Sequence, residues 1–190
     1  MQPDLHIYVD AIWIVVGIVW LAGAAGTKRT ARAQTSGSRL IHLALGAAAF
    51  TLLFNPVFET GPLAWRFVPD SPVIAYTGLT LTLVGNGFAI RARAYLGRNW
   101  SAIVTIKEDH QLILTGPYAL VRHPIYSGFL LALLGSALVF GEVRGLVAFA
   151  LAFLGWWFKS RVEEKFMQEQ FGAEYAAYQR QVKALIPFVL

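Results

Sequence analysis

Cysteine is absent from this 190-residue chain, which excludes disulfides and thiolate metal sites. Charge is scarce as well. Charged residues make up 14% of the sequence, against about a quarter in a soluble domain. Histidine offers no metal-ligand spacing, because His6, His42 and His110 are scattered, so no metal site is expected. No internal repeat or low-complexity linker appears. The opening "MQPDLHIYVD" lacks a basic n-region, and no small-residue cleavage site follows it, so the first apolar segment is expected to stay as a span.

What is present is apolar. Hydrophobic residues reach 56% and come in blocks of membrane-spanning length. Segments over 7–25, 40–58 and 72–90 each approach the ~20 residues that cross ~30 Å of hydrocarbon as a helix. Two shorter runs follow, 124–140 and 145–158, joined by "GEVRG". They predict a helical hairpin whose second arm continues into a charged tail. The expected architecture is therefore an all-α integral membrane protein: five transmembrane helices, the last two a hairpin, plus a cytoplasmic C-terminal helical tail. Residues 1–94 would form an N-terminal three-helix membrane part. Residues 95–190 would form a catalytic part.

The net charge of +5 is distributed topologically. The first loop carries Lys28, Arg29, Arg32 and Arg39, and the 91–123 stretch and the tail also sum to positive values. The N-terminus and the second loop, with Asp4, Asp10, Glu59 and Asp70, are negative, and the hairpin turn is neutral. Positive loops lie inside, which places the N-terminus outside and the polar segments and C-terminus in the cytoplasm. The basic excess thus implies no nucleic-acid partner. Alanine and leucine richness suggests a bacterial inner membrane.

One stretch is polar where an apolar run begins: "GPYALVRHPIYSGF", residues 116–129. His123 before Pro124 is pushed out of the α region, while proline suits a first helical turn, so a helix is expected to start at Pro124. Its free amides near Ile125 and Tyr126 would attract an anion. Gly128 would let a ligand or a neighbouring helix approach the backbone. Tyr118 and Tyr126 would offer rings to a planar base. Arg122 alone fits a positive-inside anchor, and the tyrosines alone an interfacial belt, but neither role requires the whole string. In the tail, Phe158, Val162, Phe166 and Met167 make one apolar helical face. Arg161, Glu164 and Lys165 lie on another. Gly172 should end that helix, with 173–182 resuming it. Since the hairpin's second arm enters this helix, Arg161, Glu163 and Glu164 should stand at the membrane surface, where charges are costly without a partner.

With "YLGRNWS" (95–101), "TGPYALVRHPIYSGF" (115–129), "RVEEKF" (161–166), "FGAEYAAY" (171–178) and "IPF" (186–188), the last hundred residues resemble the isoprenylcysteine carboxyl methyltransferases and their phospholipid methyltransferase relatives. The resemblance implies methyl transfer from S-adenosylmethionine to a lipophilic acceptor reached from the bilayer, with membrane lipids as surroundings. It implies a cofactor site of Tyr118, Val121, Arg122, His123, Pro124, Tyr126, Gly128, Glu163 and Glu164. Arg91, Arg98, Trp100, Ser101 and Arg161 would line the acceptor side, and Arg161 and Glu164 would serve catalysis. A carboxylate acceptor is ionised near neutral pH, so no general base is needed and alignment and electrostatics would carry the rate. An amine acceptor, as in phospholipid N-methylation, would need a proton sink, for which His123 or a glutamate is the candidate. The sterol-reductase-like enzymes, which bind NADPH, share an RHPxY string. They typically carry RHPNYxGD, whereas Ile125 and Phe129 stand here.

Overall fold

The computed structural model describes residues 5–23, 30–33, 36–97, 105–107 and 112–190. Five helices dominate: α1 (His6–Ala22), α2 (Ser36–Phe54), α3 (Pro72–Leu96), α4 (Pro124–Phe140) and α5 (Val143–Gln181). Two of them, α3 and α5, are long and apolar enough to cross a membrane, while α1 and α4 are shorter apolar helices of 17 residues. Large apolar side chains lie exposed along α1, α2, α3 and α5, among them Ile14, Ile18, Leu40, Leu43, Leu83 and Val84. So much outward apolar surface exceeds the patches of a soluble monomer.

The expected helices form with adjusted ends. The second segment stops at Phe54 rather than running to 58, because Pro56 cannot continue it. Asn55 there accepts a hydrogen bond from the Val57 amide and opens a separate 3-10 turn, Pro56–Phe58. The third runs six residues further than its apolar stretch, to Leu96, and ends where Gly97 turns to φ +55°. The expected division after residue 94 thus falls inside α3. The fourth spans Pro124–Phe140 as expected and ends on Gly141 in the left-handed conformation. The helix after the hairpin turn is continuous as far as Gly172, whose φ of +50° breaks it.

One departure from an all-α fold lies in the loops. Residues Thr30–Ala33 (β1) pair antiparallel with Thr105–Lys107 (β2), with Thr30 opposite Lys107 and Ala33 opposite Thr105. The stretch with the loosest composition in the sequence, 26–38, thereby contains a strand. Its partner is distant in sequence, so no local pattern announces it.

Small residues set the closest packing. An added Cβ on Gly85 would meet the Gly128 carbonyl at 2.5 Å, and one on Gly135 would meet the Gly78 carbonyl at 2.5 Å. The two glycine pairs lie seven residues apart along both antiparallel helices, so α3 and α4 touch backbone to backbone over two turns. Such small-residue seams replace the hydrophobic driving force that lipid removes. Beside the seam, the Trp13 indole donates to Ser136 Oγ at 3.0 Å, and Thr82 Oγ1 lies 3.3 Å from that oxygen. Both hydroxyls are fully buried, and the network satisfies groups that lipid cannot.

The bundle has two distinct ends. At one, His6 meets Phe140, Phe67 donates its amide to the Gly141 carbonyl, and Val143 donates to Trp65. At the other, Arg93 of α3 lies over the Trp20 ring of α1, Tyr95 bonds to Thr115, and the starts of α2 and α4 approach the charged half of α5. At ~1.5 Å per residue the stretch of α5 before the Gly172 break, 143–171, reaches ~43 Å, well beyond the ~30 Å of hydrocarbon. The half beyond Phe158, which carries the charges, therefore stands outside any span.

Candidate functional site: an ion cluster between the starts of α4 and the charged half of α5

Gly116–Ala119 forms a 3-10 turn that buries Tyr118, and Val121 is fully buried just after it. His123 takes φ −122° and ψ +63°, as its position before proline requires. The first intrahelical bond of α4 joins the Ser127 amide to the His123 carbonyl. The amides of Ile125 and Tyr126 precede it, at the positive end of the helix.

Arg122 and His123 are held in place from behind. Their amides donate to the carbonyls of Lys183 and Ala184 at 2.8 and 3.0 Å, and Ser127 Oγ donates to the Leu185 carbonyl at 2.6 Å. The chain's last segment is thus clamped across the start of α4. Arg122 Nη1 also donates to the carbonyls of Gln179 and Val182. The Tyr178 hydroxyl donates to the Tyr118 carbonyl at 2.5 Å.

Their side chains turn to α5. Arg122 Nε donates to Glu164 Oε1 at 2.8 Å, and Nη2 donates to the same oxygen. The His123 ring lies between both acids, with Nδ1 3.2 Å from Glu163 and Nε2 3.3 Å from Glu164. Tyr126 donates its hydroxyl to Glu163 at 2.5 Å, and Gln179 Nε2 donates to the second oxygen of Glu164 at 3.3 Å. Arg122, His123 and Glu164 are nearly buried, while the Glu163 side chain keeps 24% exposure.

Burial alone lowers the His123 pKa, but hydrogen bonds to Glu163 and Glu164 outweigh it and the net shift is upward. Burial raises that of Glu164, and the bonds and charges of His123 and Arg122 overcome this to hold it at about 2. A carboxylate at each nitrogen favours the doubly protonated, cationic ring. Burial also keeps the Tyr118 phenol neutral by raising its pKa.

Of the expected set the structure joins Arg122, His123, Tyr126, Glu163 and Glu164 in one cluster, and Tyr118, Val121 and Pro124 are buried in the same stretch of chain. Three of the expected residues stand apart from the cluster's ion pairs. Gly128 serves helix packing, since a Cβ there would meet the Gly85 carbonyl at 2.6 Å. The Tyr126 ring is not open to a planar base: it stacks between His123 (5.5 Å, 9°) and Trp156 (6.0 Å, 7°). Arg161 is exposed with its guanidinium 4.5 Å over the Trp157 ring, and the structure does not bring it into the cluster. Arg91 is likewise exposed on α3. Arg98, Trp100 and Ser101 lie outside the described residues. Gln179 and Lys159, whose Nζ lies 5.3 Å over the Tyr126 ring, join the cluster without having been expected. Lys159 sits four residues before Glu163, the one signal the sequence holds for it, whereas Gln179 lies fifteen residues from Glu164 and no helical spacing points to it.

Residues 73–174 match the model of the phospholipid methyltransferase family. A probable protein-S-isoprenylcysteine O-methyltransferase from Oryza sativa subsp. indica is 34% identical over 120 residues, covering 61% of this chain and 62% of the relative. The protein-S-isoprenylcysteine O-methyltransferase of Saccharomyces cerevisiae is 36% identical over 135 residues, covering 64% and 56%. The chain thus spans less than two thirds of the length of these curated relatives. A solved structure of the eukaryotic intramembrane Ras methyltransferase ICMT (isoprenylcysteine carboxyl methyltransferase) aligns with TM-score 0.53 and 23% identity over 84% of this chain and 55% of that one. At that identity the likeness is one of fold. The family match covers nearly all of α3, α4, both glutamates and more than half of the chain; this is a membrane protein belonging to the phospholipid methyltransferase family.

Proposed function

We propose that this chain transfers a methyl group from S-adenosylmethionine to a lipophilic acceptor at the cytoplasmic face of a bacterial inner membrane. In this reading all five helices span, and residues 95–190 carry the chemistry on a frame formed by 1–94. The observation that carries it is the Arg122–His123–Glu163–Glu164 cluster at the mouth of α4, inside the stretch that matches the family.

The residues present fit the cofactor. Its positive sulfur and ammonium call for carboxylates, and its own carboxylate calls for donors. Glu163 is partly open and takes only the His123 and Tyr126 contacts out of the about four acceptor sites of a carboxylate, whereas Glu164 already takes four donors. The Ile125 and Tyr126 amides stand at a helix start suited to an anion. When bound, S-adenosylmethionine supplies an electrophilic methyl group on a cationic sulfur. Glu163 and Glu164 would hold the cationic parts, and Arg122 and His123 would fix the two carboxylates in place. Tyr126, locked in its ring stack, would hold Glu163. Arg161 remains an outlying cation, able to meet an acceptor arriving over the Trp157 face, with Arg91, Arg98, Trp100 and Ser101 assigned to the acceptor side. In-line displacement then depends on alignment in a water-poor site.

The test is to incubate purified protein with methyl-labelled cofactor and a bacterial lipid extract. Labelled methyl ester in the lipid fraction is the expected result, together with calorimetric binding of S-adenosylhomocysteine and no response to NADPH. Binding of NADPH without S-adenosylhomocysteine would replace the reading with the reductase one.

A further inference from the structure

Beyond α5 the chain turns back along α4. Arg122 and His123 donate their amides to the carbonyls of Lys183 and Ala184, and Ser127 Oγ donates to that of Leu185. Residues 183–185 therefore run beside the first turn of α4, in the direction in which that helix enters the bundle. Leu185 is 2% exposed and clusters with Leu130 of α4 and with Phe153, Trp156 and Trp157 of α5. Ser127 and Leu130 lie three and six residues past Pro124, ~5 and ~9 Å along the helix axis. A segment that follows a charged helix thus returns to the level of apolar side chains.

There it closes on itself. The amides of Leu185 and Ile186 donate to the Leu190 carbonyl at 2.7 and 2.8 Å, and those of Val189 and Leu190 donate to the Ile186 carbonyl at 3.1 and 3.0 Å. Pro187 has no amide to satisfy. A loop that bonds its own backbone is what hydrocarbon demands and water does not. No charged residue interrupts 184–190. Phe188 and Val189 are nevertheless 88% and 71% exposed, and Ile186 is exposed beside them. Phe188 alone among the described non-glycine residues has a positive φ, +64°, which bulky L residues rarely adopt. The backbone bears that strain while the ring stays uncovered by protein. Exposed apolar side chains continue past the loop, with Leu120 before α4 and Leu154 and Phe158 on α5.

We propose that residues 183–190 form a hook seated in the bilayer. Ile186, Phe188 and Val189 insert among acyl chains just below the headgroups, and this seating holds Arg122 and His123 in place. Burial of three apolar side chains in the interface supplies the driving force that offsets the strained turn. The bilayer then reaches the ion cluster through the backbone. Carbonyls 183 and 184 fix the amides of Arg122 and His123, and carbonyls 179 and 182 take Arg122 Nη1. The cluster is fully ordered only while the hook is seated. The inference needs α4 to enter the bilayer at Pro124. It makes no use of methyl transfer and stands apart from that reading.

A chain without cysteine permits labelling at single positions. Phe188→Cys carries a nitrobenzoxadiazole probe in phosphatidylcholine nanodiscs, with Leu83→Cys on the exposed face of α3 as the mid-span reference. Lipids spin-labelled near the headgroup or near the chain end quench from the bilayer, and iodide quenches from water. The probe at 188 should be quenched most by the label near the headgroup, and the probe at 83 most by the label near the chain end. Quenching at 188 by iodide alone overturns the proposal. So does shielding from every quencher, the mark of a protein partner or a second copy on the hook.

Hydrogen exchange of the Arg122 and His123 amides reads the coupling. Ile186→Asn, Phe188→Asn and Val189→Asn combined should speed that exchange about ten-fold, with the 78–85 stretch of α3 unchanged. Phe188→Asn alone, which tolerates the positive φ, should shift it in the same direction by less. Unchanged exchange at both amides in the triple variant overturns the coupling. Should the triple variant unfold, shown by equal acceleration in α3, the single variant decides by the same criterion.

Discussion

Both ends of the bundle bury an arginine against carboxylate, Arg144 on two acids and Arg122 on Glu164 alone, yet only one resembles a place for chemistry. Arg144 is 2% exposed, bonded through Nε to Glu142 at 2.6 Å and through Nη2 to Glu59 at 3.3 Å. Its surroundings are structural. Backbone bonds tie the second connector to the hairpin turn there, and the guanidinium lies over Phe140. Arg122 has a carboxylate partner too, but its neighbours are a histidine held between two acids, a locked tyrosine and a helix start. A buried guanidinium–carboxylate pair is therefore no signature of a site by itself. The groups that surround it without completing it make the difference.

The comparison is sharpest where the largest effects are expected. Arg122→Ala strands the nearly buried Glu164 carboxylate and should cost about 3–5 kcal/mol of stability by thermal unfolding in detergent, whereas Arg144→Ala, whose partners Glu59 and Glu142 keep 53% and 19% exposure, should cost less. The milder Arg144→Lys should leave S-adenosylhomocysteine affinity unchanged, whereas Arg122→Lys, which loses the fork around Glu164, should weaken it. Equal behaviour of the two lysine variants would dissolve the distinction drawn above. Next comes Tyr126→Phe, which removes a donor from Glu163 and should cost about 1.5–3 kcal/mol, measured in the same unfolding assay. Gly128→Ala pushes a Cβ into the Gly85 carbonyl and should cost about 1–3 kcal/mol, while Gly46→Ala, facing open space, should change little.

Smaller still is a pH effect confined to the cluster end. His123 has a raised folded pKa, so its stabilising contribution is complete below the ordinary value of about 6.5 and is lost as pH rises through the folded value. Stability should fall on the alkaline side in the wild type, and His123→Gln should flatten that slope. Arg144→Lys should not. Arg161→Ala, exposed and stacked on Trp157, should lose no more than about 1 kcal/mol.

Local rules made much of this legible. The Pro124 start of α4 follows from proline chemistry and the Gly172 break from its positive φ. The pairing of the RHP stretch with the glutamates came from the family resemblance and from the depth at which a continuous α5 must place Glu163 and Glu164. What stayed hidden depends on long-range contact. The extension of α3 through Arg91 and Arg93 was masked by charge, although Arg93 is 8% exposed and packs over Trp20. The β1–β2 pairing joins residues some 75 apart. Gly128 was ambiguous because a small residue serves a ligand and a helix alike, and only the position of Gly85 decides between them.

The claim on which everything turns is that Glu164 and its neighbours hold the methyl donor, and calorimetry of S-adenosylhomocysteine tests it most directly. Glu164→Gln keeps an acceptor for Arg122 but removes the charge. The account predicts tight binding in the wild type, about ten-fold weaker binding in Glu164→Gln, and wild-type affinity in Arg144→Lys. Equal affinity in wild type and Glu164→Gln would contradict it.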